Sequence, residues 1–146
     1  MTKEELIKKY PLVFGNKVER TPYALFGIEC GDGWLWLLDK LASYINDILG
    51  EKICYIEERD VEKKFYVLQV KEKFGELRFY WQLEGNCPKT FEQISNAVSF
   101  AEYLSNFICE ECGSINAETR DINGYLMTLC DNCYNIRLLV EDENGN

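Results

Sequence analysis

The chain has 146 residues, 47% of them hydrophobic and 14% aromatic, which is enough for one domain with a hydrophobic core and too few for two independent ones. Asp and Glu number 25 against 16 Lys and Arg, and the resulting net charge of −9 argues against general nucleic-acid binding through a broad basic surface. The chain has no histidine and no Ser or Cys in a nucleophile motif, so we predict that it is not an enzyme.

The sequence also bears on the compartment. It shows no charged-then-apolar secretion signal and no apolar run near the ~18 residues of a membrane span, so we expect a soluble protein without a membrane partner. There are seven cysteines, and three of them (Cys30, Cys54 and Cys87) fall outside the metal pattern described below. No positive sign favours a disulfide among these three, and we expect a reducing compartment.

The first 30 residues predict short elements. Thr2 and Glu5 form an S/T-x-x-E capping box, which predicts a short surface helix that ends before Pro11. Residues 12–20 have the composition of a loop. The apolar run over 24–28 predicts a short strand.

Gly31, Asp32 and Gly33 come directly before a strongly apolar helical pattern over residues 34–50. The favoured interpretation is structural, with Asp32 as the N-cap of this helix and a glycine at its C-terminal end. The alternative is a ligand site, because two glycines let a ligand approach the backbone and free N–H groups there favour an anion. Trp36 widens the apolar face, which indicates a helix that is buried on two sides or that faces a partner.

The middle of the chain carries the clearest strand signals. A weak strand is predicted over 53–56, and a hairpin is predicted from 65–70 and 77–83 with Gly75 in its turn. Four residues of the hairpin form a basic and aromatic patch that could bind a phosphate or a stacked base: Lys71, Lys73, Arg78 and Tyr80. Ordinary cross-strand pairing explains the same four residues and is the favoured interpretation.

The last third of the chain predicts a metal site. Thr90 and Gln93 form a second capping box, which starts a helix that leads directly to a cysteine cluster. The cluster consists of two C-x-x-C pairs separated by seventeen residues: Cys109 with Cys112, and Cys130 with Cys133. This spacing is typical of a structural zinc site with four thiolate ligands, and we favour Zn²⁺ over a redox pair, for which one C-x-x-C would suffice.

The order of knuckle, hairpin and helix around these cysteines resembles a treble-clef zinc finger. We therefore predict an α+β fold in which a small antiparallel sheet, built on a hairpin, packs with two or three helices and carries a C-terminal treble-clef-like module with four cysteines around zinc. The domain is expected to span 1–146, with the zinc-binding part at 105–140. The acidic tail over 141–146 is expected to be frayed.

Three stretches in this order resemble a family of small uncharacterised proteins encoded by bacteriophages and prophages. They are E-C-G-D-G-W at 29–34, V-K-E-K-F-G-E-L-R-F-Y at 70–80, and C-E-E-C-G at 109–113 with T-L-C-D-N-C at 128–133. The resemblance implies an accessory role in the cytoplasm of a bacterial host cell. Phage accessory proteins of this size often inhibit host functions, including defence systems such as CRISPR.

Three functions remain open on the sequence. The favoured one is a non-enzymatic protein that binds, and inhibits, a basic host protein through its acidic surface, because residues 90–146 have a net charge of −8. The alternative is a binder of small nucleotides that uses the Gly31-Asp32-Gly33 segment together with the basic hairpin patch. Binding to double-stranded DNA ranks third, because no basic residues surround the cysteines.

Overall fold

The computed structural model describes residues 1–143 and confirms the α+β class. The helices are α1 (Lys3–Lys9), α2 (Pro11–Phe14), α3 (Pro22–Phe26), α4 (Leu35–Leu49), α5 (Pro88–Leu104) and α6 (Asp131–Glu143). The strands are β1 (Ile28–Glu29), β2 (Lys64–Lys73), β3 (Glu76–Glu84), β4 (Ala117–Ile122) and β5 (Tyr125–Cys130). One sheet has the order β1-β2-β3, with β1 parallel to β2 and β3 antiparallel to it, and the antiparallel pair β4-β5 forms a second sheet.

Helix α1 begins as the sequence predicts. The Glu5 N–H donates to Thr2 Oγ1 and the Thr2 N–H donates to Glu5 Oε2, both at 3.1 Å, so the capping box is complete. The loop predicted from residue 12 is wrong at its start, because Pro11 begins the short helix α2, which buries Val13 and Phe14. Proline suits this first helical position because it has no N–H to leave unpaired.

The strand predicted over 24–28 is also wrong. Thr21 caps a helix there by accepting the Ala24 N–H, and Pro22 occupies its first position. The Thr-Pro start signal outweighs the short apolar run, which by itself does not distinguish a strand from a helix. Only Ile28–Glu29 is extended, alongside β2.

Helix α4 confirms the long apolar pattern, but both of its ends differ from the prediction. A 3₁₀ turn over Asp32–Trp34 precedes it, so Asp32 is not the N-cap; its carboxylate is exposed and lies 3.8 Å from Lys3 Nζ. At the other end Gly50 has φ of −82°, and Glu51 takes the left-handed conformation with φ of 65°. The Lys52 N–H then donates to the Asp47 carbonyl, which closes the helix end.

The β2-β3 hairpin is confirmed and is longer than predicted. Its two-residue turn is Phe74-Gly75, with φ of 55° and 80°, the left-handed pair that lets two twisted strands join closely. Leu77 and Phe79 are buried on the predicted inner face. The strand predicted over 53–56 is wrong, because a 3₁₀ turn over Ile56–Glu58 occupies part of that region.

Helix α5 begins at Pro88, two residues before the predicted capping box, so that box does not form the helix start. The cap comes instead from Glu58, a buried carboxylate that is distant in sequence. Its Oε2 accepts the Lys89 N–H at 2.9 Å, and its Oε1 accepts the Thr90 N–H at 2.7 Å. Burial alone would raise the pKa of Glu58, but the Thr90 hydroxyl and the two N–H groups lower it below the ordinary value.

The hydrophobic core has two parts. The large part packs α1, α2, α4 and α5 against the three-stranded sheet, with Trp34 fully buried in it. The small part lies under the β4-β5 hairpin and includes Cys109, Leu129 and Cys130. Trp34 Nε1 donates to the Ile108 carbonyl at 2.8 Å within the large part, directly before Cys109 of the small part.

Two predictions concern the ends and the environment of the chain. Helix α6 extends to Glu143, residues 144–146 lie outside the described range, and the fraying of the tail stays a prediction. Within residues 1–143, none of the helices combines the length and the apolar character needed to cross a membrane.

Candidate metal centre

The first C-x-x-C pair lies in a tight knuckle after α5. The Gly113 N–H donates to the Cys109 carbonyl and the Cys109 N–H donates to the Ser114 carbonyl, both at 2.8 Å. Gly113 has φ of 84°, a conformation that costs glycine little because it has no Cβ. The knuckle therefore turns the sulfur atoms of Cys109 and Cys112 to the same side.

The second pair joins a strand to a helix. Cys130 is the last residue of β5 and Cys133 lies in the first turn of α6. The hairpin that brings them back to the knuckle turns at Asn123-Gly124, where both residues have positive φ. The Cys133 N–H donates to Cys130 Sγ at 3.5 Å and lowers the pKa of the Cys130 thiol to about 7, which favours the thiolate form that binds metals.

The four sulfur atoms form one cluster. They all lie within 4.8 Å of one another, and Cys112 Sγ is 3.7 Å from Cys130 Sγ. Four thiolates held tetrahedrally about 2.3 Å from a zinc ion would be separated by about 3.8 Å, so the spacing fits. The four thiols are free, and they form a single site in place of two separate dithiols. This arrangement can hold a metal ion with no open ligand position, as structural sites do.

The Gly31-Asp32-Gly33 segment lies against this knuckle. The Gly31 N–H donates to Glu110 Oε2 at 2.8 Å, and the Gly33 N–H donates to the Glu110 carbonyl at 2.7 Å. A Cβ on Gly31 would lie 2.9 Å from Glu110 Cγ, and one on Gly33 would lie 2.5 Å from the Glu110 carbonyl oxygen. The close backbone approach that the two glycines permit is thus to the chain's own knuckle, and the two N–H groups considered for an anion are already used.

Glu110 is the residue of this site that the sequence did not reveal. It is buried, and burial raises the pKa of its carboxyl while the hydrogen bond from the Gly31 N–H opposes that shift. Nothing in C-E-E-C distinguishes it from the exposed Glu111. The paired glycines were the available signal, because they indicate that some group approaches the backbone closely.

The basic hairpin patch is assembled on one face of the sheet. Lys71 is the cross-strand partner of Arg78, Gln69 that of Tyr80 and Lys73 that of Glu76, so all of these side chains share a face. Arg78 Nη1 lies 2.7 Å from Glu76 Oε1, which offsets its charge. The cross-strand pairing is confirmed, and binding of a nucleotide by these residues stays a prediction.

Comparison of the chain with models of protein families, with curated proteins and with solved structures found no match. The resemblance to small phage and prophage proteins therefore stays a prediction. Function has to be inferred from the metal centre, from the charges that surround it and from the exposed surfaces of the described residues.

Proposed function

We propose that the chain is a non-enzymatic binding protein, stabilised by a structural zinc ion, that engages a basic partner protein through the acidic face of its metal module. The metal module is residues 109–143. The observation that carries the proposal is its charge: eight acids against two arginines give a net charge of −6. The acids are Glu110, Glu111, Glu118, Asp121, Asp131, Glu141, Asp142 and Glu143.

The two arginines are already included in this net charge, and each offsets one acid inside the module. Arg120 Nη2 lies 2.6 Å from Asp131 Oδ1, and Arg137 Nη2 lies 2.6 Å from Glu111 Oε1. Four thiolates around one divalent ion would add a further charge of about −2. A surface of this kind attracts a basic protein at long range and repels phosphate groups.

Zinc is the ion we propose for the four thiolates. Thiolate ligands favour soft or borderline ions, and four of them around Zn²⁺ make a closed site that contributes to folding and leaves no position for a substrate. The metal would thus hold the knuckle, the β4-β5 hairpin and the start of α6 in one rigid arrangement.

Exposed apolar side chains on the same module support a protein partner. Ile115, Tyr125, Ile136 and Leu139 are all more than half exposed. Apolar side chains contribute binding energy when a partner buries them, whereas exposed charges mainly raise the association rate and set specificity. We take the partner to be a host protein whose activity is inhibited by binding, as the resemblance to phage accessory proteins implies.

The test uses a module of reduced negative charge and a matched control. The paired changes Asn116→Lys and Glu118→Lys alter two exposed side chains and raise the module's net charge by three units. The control, Glu19→Lys with Asn86→Lys, makes the same change far from the module in sequence. The tagged proteins are used to isolate partners from a bacterial lysate at low and high salt.

We expect the wild-type chain and the control to retain a basic protein at low salt. The variant with the less negative module should lose it. Retention should also fall as salt rises, because exposed charges are screened. Equal retention of that protein by both variants, or no specific partner at any salt concentration, would refute the proposal.

A further inference from the structure

An apolar groove lies between α4 and α5, outside the metal module. It has a volume of about 530 Å³. Its walls carry Trp36, Tyr44, Tyr55 and Phe100, and its floor includes the small residues Ala97 and Ala101. Trp36 is 64% exposed and Phe100 is 61% exposed, although exposing large aromatic side chains is unfavourable unless something covers them.

The two helices run antiparallel and form the two sides of the groove. The start of α4 lies beside the end of α5, because Trp34 Nε1 donates to the Ile108 carbonyl. At the other end, Gln93 Nε2 donates to Tyr44 Oη at 3.3 Å. The groove runs from Gln93 to Leu104, about 16 Å at 1.5 Å per residue, which matches about three turns of a docked helix.

The groove also contains a polar atom that lacks a partner. Gln93 Nε2 donates to the Ile53 carbonyl at 3.1 Å, and since a carbonyl can only accept, the orientation of this amide is fixed. Its Oε1 is buried and accepts no hydrogen bond within the described residues. A buried acceptor without a donor is unfavourable for the folded chain.

The charges on the two rims differ. Lys40 stands over the Trp36 ring and lies 3.4 Å from Asp39 Oδ2, a carboxylate that it shares with Lys9. Glu92 on the opposite rim forms no ion pair within residues 1–143. A second copy of the chain would bring another net charge of −9 to this rim, whereas a helix with lysine or arginine beside its apolar face would pair with Glu92.

We propose that the α4-α5 groove is a docking site for a basic amphipathic helix of a partner protein. Its apolar residues, spaced i, i+3, i+4 and i+7, would lie between the aromatic walls, and its basic residues would face Glu92. This site is separate from the acidic face of the metal module. It requires neither that face nor the metal for recognition.

The probe is a helical peptide of about 14 residues made of leucine and lysine, with leucine on one face; a second peptide has glutamate in place of lysine. Binding is followed by the tryptophan emission of the full chain, because Trp36 would be covered. Phe100→Lys places a charge in the groove. Phe26→Lys is the matched control, because Phe26 is 68% exposed and lies outside the groove. Circular dichroism and zinc content verify that each variant folds.

We expect the lysine peptide to bind with a shift of the emission to shorter wavelength, and Phe100→Lys to weaken binding by about tenfold or more while Phe26→Lys leaves it unchanged. The glutamate peptide should bind several-fold more weakly. Equal affinities for the two Lys variants, or no binding, would overturn the proposal. So would self-association that Phe100→Lys alone abolishes, because the occupant would then be a second copy. Loss of peptide binding only in the Asn116→Lys, Glu118→Lys chain would place the peptide on the acidic face and leave the groove without support.

Discussion

Gly33→Ala is the substitution that most directly tests how the metal module joins the rest of the chain. The added Cβ would lie 2.5 Å from the Glu110 carbonyl oxygen and would also overlap the Cys109 carbonyl oxygen. Both are backbone atoms of the knuckle and cannot rotate away as a flexible side chain would. The first helical turn and the knuckle must therefore move apart, which also breaks the 2.7 Å hydrogen bond from the Gly33 N–H.

The expected cost follows from these two effects. Overpacking costs about 1–3 kcal/mol, and losing one backbone hydrogen bond costs about 0.5–1.5 kcal/mol, so the free energy of unfolding should fall by about 2–4 kcal/mol. For a chain of this size this corresponds to a decrease in Tm of about 6–12 °C. Thermal unfolding with zinc in excess measures the shift, and competition with a chelator shows whether the metal is also held less tightly.

Gly50→Ala is the matched control, because a Cβ there would lie 3.1 Å from its nearest neighbour, the Asn46 carbonyl oxygen, at an exposed helix end. It should change the free energy of unfolding by no more than about 0.5 kcal/mol. If Gly33→Ala were as mild as this control, the close contact between Gly33 and the knuckle would be refuted. If it instead abolished binding of a nucleotide at unchanged stability, the ligand interpretation of the glycines would be the right one.

Three further substitutions test other contacts. Cys112→Ser should lower the zinc content below about one equivalent per chain by elemental analysis, whereas Cys54→Ser, outside the cluster, should not. Glu58→Gln should destabilise the chain at neutral pH, as measured by urea unfolding. Folding lowers the pKa of Glu58, so its charge stabilises the chain above about pH 4.3, and this contribution is lost as the pH falls through the lowered pKa. The difference in stability between the variant and the wild-type chain should therefore shrink at low pH. Thr128→Val removes a buried hydroxyl that donates at 2.6 Å to the Gly75 carbonyl in the β2-β3 turn and should cost about 1–3 kcal/mol. Thr119→Val removes the more exposed hydroxyl that lies 3.1 Å from that of Thr128, and it should cost less; equal effects of the two would contradict this assignment.

The features that could be predicted from the sequence depend on local patterns. The capping box at Thr2, the apolar period of α4 and the alternation of the β2-β3 hairpin each lie within about fifteen residues, so the chain order alone reveals them. The cluster of four cysteines was predictable for the same reason, because each C-x-x-C is local and the distance between the pairs is typical of a known kind of site.

The features that could not be predicted depend on contacts between distant residues. Glu58 caps α5 from about thirty positions away in sequence, and nothing near Pro88 indicates which carboxylate will accept the N–H groups of this helix start. Glu110 accepts hydrogen bonds from the N–H groups of Gly31 and Gly33, just before α4. The local G-D-G pattern carries no information about this distant acceptor, so it favoured capping by Asp32 instead. The error over 24–28 is different in kind, because a Thr-Pro start signal was present there and was given less weight than a short apolar run.

The link between Trp34 and Ile108 has a consequence for how the protein is made. The two residues are 74 positions apart, and the bond from Gly31 to Glu110 spans 79 positions. On the ribosome, the nascent chain cannot bury Trp34 fully until α5 and Ile108 have emerged. Cys133, the last cysteine of the cluster, follows Ile108 by about 25 residues. An ion held by all four cysteines would therefore bind only after the partners of Trp34 have been made, and a polypeptide interrupted upstream of Cys133 would lack the fourth thiolate.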